Sequence, residues 1–106
     1  MSPTIELPCR VDYRPVGAQH FCEWTGRANY LSATGCSIQS SHQPDADLRL
    51  ELRIYLPGGT WPIRVTQAEI IWSHWDEFTV EFLDLSLSDR DALQHYLIEA
   101  AAAVAA

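Results

Sequence analysis

Five aliphatic residues recur at every second position from Leu48 to Leu56. They are Leu48, Leu50, Leu52, Ile54 and Leu56, with Arg49, Glu51, Arg53 and Tyr55 between them. Side chains alternate between two faces only in extended backbone, so this run predicts a strand with one buried and one solvated face. Pro57-Gly58-Gly59-Thr60 is the turn that closes it. Trp61 to Trp72 then forms the return strand, with an inward set of Trp61, Ile63, Val65, then Ala68, Ile70 and Trp72. The phase slips near Gln67, as a β-bulge would produce. Ser73 to Glu77 reads as a polar hairpin loop carrying Trp75, and Phe78, Val80 and Phe82 alternate with Thr79 and Glu81 in the last strand.

Shorter extended pieces precede this hairpin. Cys9, Val11 and Tyr13 alternate with Arg10, Asp12 and Arg14, which predicts a strand with its arginines outward. His20 to Thr25, Arg27 to Leu31 and Cys36 to Ser40 follow, with Gly35 breaking the chain where a left-handed or otherwise special turn costs little. Ser41 to Asp47 is turn chemistry throughout. Near the C-terminus, Ser88-Asp89-Arg90-Asp91 fits a helix-opening capping box, with Ser86 as an alternative cap. Leu93, Tyr96, Leu97 and Ala100 lie on one helical stripe. The expected fold is all-β with one C-terminal helix, a six- or seven-stranded antiparallel barrel or sandwich. The expected divisions are an N-terminal arm over 1–8, the barrel and its helix over 9–99, and an Ala-rich tail over 100–106 that frays or meets a neighbour.

Composition narrows the function classes. The chain has 106 residues, the size of one compact domain, and no apolar run approaches the roughly 18–20 residues of a membrane span. Met1 to Glu6 has neither the basic flank nor the apolar core of a signal peptide, so a cytoplasmic location is expected. Fourteen acidic residues face seven arginines and no lysine, a net charge of −7 that repels DNA and RNA. A small anion could still use a local arginine cluster, with Arg10, Arg14 and Arg27 as candidates, because charges are screened over about 8–10 Å. Cys9, Cys22 and Cys36 are widely spaced and odd in number, which reads as buried thiols rather than a disulfide framework. His20-Phe21-Cys22 offers two metal-capable side chains, but two further ligands are not evident and no metal is expected. Asp12, His20, Ser32, His74 and His95 supply acid, base and nucleophile types with no spacing that ties them together, so no enzyme is expected.

The order of these segments resembles the bacterial PilZ domain. Leu31-Ser32-Ala33-Thr34-Gly35-Cys36 is similar to the family's D-L-S-x-x-G hinge. Leu48 to Leu56 is similar to its L-x-L-x-L-x-L-P strand, Ala68-Glu69-Ile70-Ile71-Trp72 to its A-x-V-x-W strand, and Phe78 to Phe82 to its F-G-V-x-F strand, with Thr79 in place of Gly. Asp89 to Leu97 resembles the closing helix. The resemblance implies a PilZ-like barrel and a regulatory role in cyclic di-GMP signalling. It implies cyclic di-GMP as a ligand, bound at Arg10, Arg14, Tyr30, Ser32 and Gly35, and a protein partner that receives the signal. In the family an R-x-x-x-R pair grips phosphate and stacks on guanine, work suited to planar guanidinium groups. The hinge motif supplies an acid or amide and a hydroxyl to the guanine edge. Here Ser32 and Gly35 match, but Tyr30 occupies the acid or amide position. Losing one acceptor costs about 1–3 kcal/mol, roughly one to two decades of affinity. Tyr30 therefore predicts weak binding. The alternative is a degenerate PilZ adaptor that binds no nucleotide and acts through protein contacts, with Trp24, Trp61, Trp75 and the acidic surface engaged.

Overall fold

The computed structural model describes residues 8–17, 24–59 and 61–105. Six strands and one helix follow in order: β1 Cys9–Pro15, β2 Trp24–Asn29, β3 Gly35–Gln39, β4 Arg49–Tyr55, β5 Ile63–His74, β6 Glu77–Leu85 and α1 Leu87–Ala105. Every pairing is antiparallel, and the strands close into a barrel in the order β1-β2-β3-β6-β5-β4. Closure leaves no unpaired sheet edge. Residues 1–7 of the expected N-terminal arm over 1–8, and the His20-Phe21-Cys22 segment, lie outside the described residues.

The alternating pattern becomes the barrel interior. Val11, Ala28, Ile38, Leu50, Leu52, Ile54, Val65 and Val80 are almost wholly buried, while their strand neighbours face solvent or the outer wall. Tyr13 is the largest buried side chain, and its ring meets Phe78 edge-on at 5.3 Å. Its hydroxyl reaches the Ser40 hydroxyl at 2.8 Å and donates to the His42 carbonyl, so this polar tip in the core is satisfied. Cys9 and Cys36 are buried free thiols, and burial raises the pKa of both, which keeps them protonated and inert.

Helix α1 starts two residues earlier than the capping box at Ser88 predicts. The Ser86 hydroxyl accepts the Asp89 amide at 3.1 Å and donates to the Asp89 carboxylate at 3.0 Å, so Ser86 caps the helix. Leu93 and Leu97 are fully buried in the barrel core, with Tyr96 and Ala100 packed partly against it. The helix lies beside the β4–β5 turn, where Pro57, Gly58, Ala92 and Tyr96 line one groove. It runs on to Ala105, so most of the Ala-rich tail continues the helix.

Two corrections concern β5. The expected bulge is present: the register with β6 shifts on both sides of Gln67. A second shift falls between Ile70 and Trp72, and it turns Trp72 outward opposite Thr79. Trp72 is 50% exposed, and Trp61, which precedes β5, is 80% exposed. Neither belongs to the inward set. The hairpin that follows is also tighter than a Ser73–Glu77 loop, since β5 extends to His74 and β6 begins at Glu77. Only Trp75 and Asp76 form the turn.

Candidate functional site

The hinge between β2 and β3 is built around the Ser32 hydroxyl. It accepts the amides of Thr34 at 3.3 Å and Gly35 at 3.2 Å, and donates to the Gly35 carbonyl at 3.1 Å. The Ser32 amide donates to the same carbonyl at 2.9 Å. A hydroxyl has one proton and two lone pairs, so this one is fully engaged within its own turn. Leu31 and Ala33 point into the core on either side and anchor the hinge to the barrel.

The special backbone conformation falls on Tyr30, with φ of 49°, and not on Gly35. Glycine is required at position 35 for a different reason. A Cβ there would lie 2.3 Å from the Val80 carbonyl oxygen on the neighbouring strand β6. Tyr30 is half exposed, and together with Ser32, Gly35, Ile71, Thr79 and Glu81 it lines a surface hollow of about 250 Å³.

The two arginines stand elsewhere. Arg10 and Arg14 both lie within β1 and face outward. Four residue rises along the strand place them about 13 Å apart. Arg10 grips the Asp12 carboxylate with two bonds, Nε to Oδ1 at 3.1 Å and Nη2 to Oδ2 at 3.0 Å, and its guanidinium lies 5.0 Å over the Tyr55 ring. Thr25 donates to the same carboxylate at 2.8 Å. Burial alone would raise the pKa of Asp12, but hydrogen bonds from Arg10, Thr25 and Tyr55, with the Arg10 charge, outweigh it and hold the group below the usual carboxylate range. Arg14 donates from Nε to Glu51 Oε2 at 2.7 Å. Of the five expected ligand residues, the structure gathers Tyr30, Ser32 and Gly35 around one hollow. Arg14 lines a second with Arg53, Arg64 and Thr66, and Arg10 a third with Thr25 and Arg27.

Charge is segregated around the barrel. Arg10, Arg14, Arg27, Arg49, Arg53 and Arg64, six of the seven arginines, sit on the outer wall of β1, β2, β4 and the start of β5. Arg53 and Arg64 face each other directly across β4 and β5. Sequence reasoning passed over this pair, yet both occupy outward positions of one hairpin around the Pro57-Gly58 turn, and hairpin register alone brings them together. The acidic residues Asp76, Glu77, Glu81 and Asp84 lie along β6 and the hairpin turn before it.

Among the described residues no cluster of three or more His, Cys, Asp or Glu could hold a metal. Ser32 has only backbone groups and Thr34 as partners, so no base is placed to activate it. No described helix is long and apolar enough to cross a membrane. The remaining distinctive chemistry is aromatic. Trp24 stacks on His42 with ring centroids 3.9 Å apart, whereas Trp75 is 84% exposed at the hairpin turn.

Comparison with known proteins agrees with this fold. A family model described as PilZ domain matches residues 5–99. The Bacillus subtilis inhibitor of motility, MotI/DgrA, is similar in structure with a TM-score of 0.75 and 19% identity; the match covers 93% of this chain and 49% of that one. The chain thus spans about half the length of that protein. The PilZ domain of CeSA from a cellulose synthesizing bacterium superimposes with a TM-score of 0.68 at 17% identity, covering 92% of this chain and 97% of that one. No curated protein matches the chain.

Proposed function

Because the chain belongs to the PilZ domain family, we propose that it is a regulatory domain in cyclic di-GMP signalling whose output is a protein contact, made without a nucleotide seated on its own surface. One observation carries this reading. The groups that would grip the nucleotide already hold intramolecular partners: Arg10 on Asp12, Arg14 on Glu51, and the Ser32 hydroxyl within its turn. Releasing a charge-assisted bond costs more than releasing a neutral one, and these costs would be subtracted from any binding energy. Glu81 on the wall of the hinge hollow further disfavours a phosphate there. The domain acts as a binding module, and its activity is measured as association. Calorimetric titration with cyclic di-GMP, beside capture of a protein partner, tests the reading. A captured partner with no heat from the nucleotide supports it.

The hinge hollow favours a second reading, in which the nucleotide binds weakly. Tyr30, Ser32 and Gly35 line it, and Tyr30 presents a half-exposed ring on which a base can stack. Arg10 and Arg14 would exchange their acidic partners for phosphate. Under this reading Arg10→Ala and Arg14→Ala abolish binding, Tyr30→Asp strengthens it by supplying an acceptor, and added salt weakens it.

A further inference from the structure

We propose that the β5–β6 hairpin, from Ile71 to Glu77, is a docking surface for a basic segment of a partner protein, anchored on Trp72 and Trp75. The proposal rests on the adaptor reading above and names the surface that reading needs.

Two separate features of the backbone carry aromatic side chains into solvent here. The register shift between Ile70 and Trp72 inserts Ile71 as an extra residue, and both Ile71 and Trp72 become more than half or half exposed, at 57% and 50%. With regular alternation Trp72 would follow Ile70 into the core. At the turn, Trp75 has φ of 56°. Hairpin turns of this kind favour Gly, Asn or Asp, because a bulky residue in the left-handed region is strained. Trp75 accepts that strain and is still 84% exposed. His74 stands between the two rings, stacked on Trp72 at 5.8 Å and edge-on to Trp75 at 5.9 Å. Rigid exposed tryptophans lose little entropy on association and dominate interface energetics.

Charge identifies the occupant. Asp76, Glu77 and Glu81 form no ion pair among the described residues. Six of the seven arginines lie on β1, β2, β4 and the start of β5, and none lies on the hairpin itself. The local field therefore repels anionic lipid and nucleic acid, and draws in Arg or Lys. A guanidinium also binds the face of tryptophan. The hollow of about 250 Å³ beside Ile71 has Glu81 on its wall, so it can take an arginine with its stem on Ile71 and its charge on Glu81. The fitting partner is a protein segment that interleaves arginine with apolar residues.

The experiment uses the whole chain and two synthetic probes, an octapeptide alternating leucine and arginine and its leucine–glutamate counterpart. Their binding is followed by fluorescence polarisation in wild type, Trp72→Ser, Trp75→Gly and Trp61→Ser. Trp61 is the control, being 80% exposed and lining the groove beside α1, to which no hairpin residue contributes. Saturable, salt-sensitive binding of the arginine peptide is expected, weakened about tenfold or more in Trp72→Ser and Trp75→Gly and within about twofold of wild type in Trp61→Ser. Trp75→Gly should melt higher than wild type, which separates lost binding from lost fold. No saturable binding, equal binding of the glutamate peptide, or an equal loss in Trp61→Ser overturns the proposal. Photo-cross-linking in a lysate of the source bacterium separates it from the adaptor reading. A partner captured equally by wild type and Trp75→Gly leaves an adaptor but overturns the hairpin as its surface. A partner lost in Trp75→Gly, and joined through an arginine-bearing peptide, supports both. No partner with wild type overturns both.

Discussion

The hinge after β2 and the turn between β5 and β6 make the same local sacrifice and recover it differently. Each holds an aromatic residue in the left-handed region, Tyr30 with φ of 49° and Trp75 with φ of 56°. Such a conformation costs on the order of 1–3 kcal/mol. In the hinge the return is internal. Leu31 and Ala33 are buried, Ser32 closes the turn with its hydroxyl, and the Thr34 carbonyl accepts the Phe82 amide at 2.8 Å. In the hairpin turn, Asp76 is tied to β3 through the Ser40 amide at 2.8 Å and the Gln39 side chain at 3.3 Å. The Trp75 ring itself gains little burial, being 84% exposed. Strain offset within the fold is architecture; strain with an exposed tryptophan at its centre implies a return from outside the chain.

Substitutions in the two turns should separate them. Gly35→Ala has the largest expected effect, a loss of about 3 kcal/mol or more, because the new methyl would meet the Val80 carbonyl at 2.3 Å. Urea unfolding measures it, and a loss below about half a kcal/mol would show that β3 and β6 separate easily. Ser32→Ala should cost about 1–2 kcal/mol, since the Thr34 and Gly35 amides lose their acceptor. A neutral result there would make the hinge as unrewarded as the hairpin and end the contrast. Trp75→Gly should act in the opposite direction, stabilising by about 0.5–1 kcal/mol. Destabilisation would mean that the ring contributes to the fold after all.

The smallest effect concerns the outer wall and lies in acid. The Asp12 pKa is lowered in the folded state, so its stabilisation is complete above the ordinary value of about 4 and is lost as pH falls through the lower folded value. Asp12→Asn should remove that acid limb from a plot of melting temperature against pH. The difference between Ser32→Ala and Trp75→Gly should persist across it, because neither change touches the Asp12 cluster.

The barrel was readable because its outer face is solvated. Leu48 to Leu56 alternates cleanly, and that alternation positioned the core correctly from Leu50 to Ile54. The outward turn of Trp72 was hidden for the same kind of reason. Ile70, Ile71 and Trp72 are all apolar, so either phase satisfies the pattern and a one-residue bulge leaves no trace. Ser86 and Ser88 each have an aspartate three residues on, Asp89 and Asp91, and spacing alone does not choose between them. Gly35 was correctly marked as special, but its cause is the neighbouring strand and not its own turn. The R-x-x-x-R spacing of Arg10 and Arg14 reads as a pair on paper. In extended backbone it spans several residue rises, and the acids that engage it include Glu51, a partner visible only through the β1–β4 register.

The central proposal is that this PilZ domain works through protein contact, with Arg10, Arg14 and Ser32 already engaged by partners within the chain. Calorimetric titration of the wild-type chain with cyclic di-GMP tests it most directly. The account predicts no saturable heat. Binding at about 1 μM or tighter, abolished by Arg10→Ala and by Arg14→Ala, would contradict it.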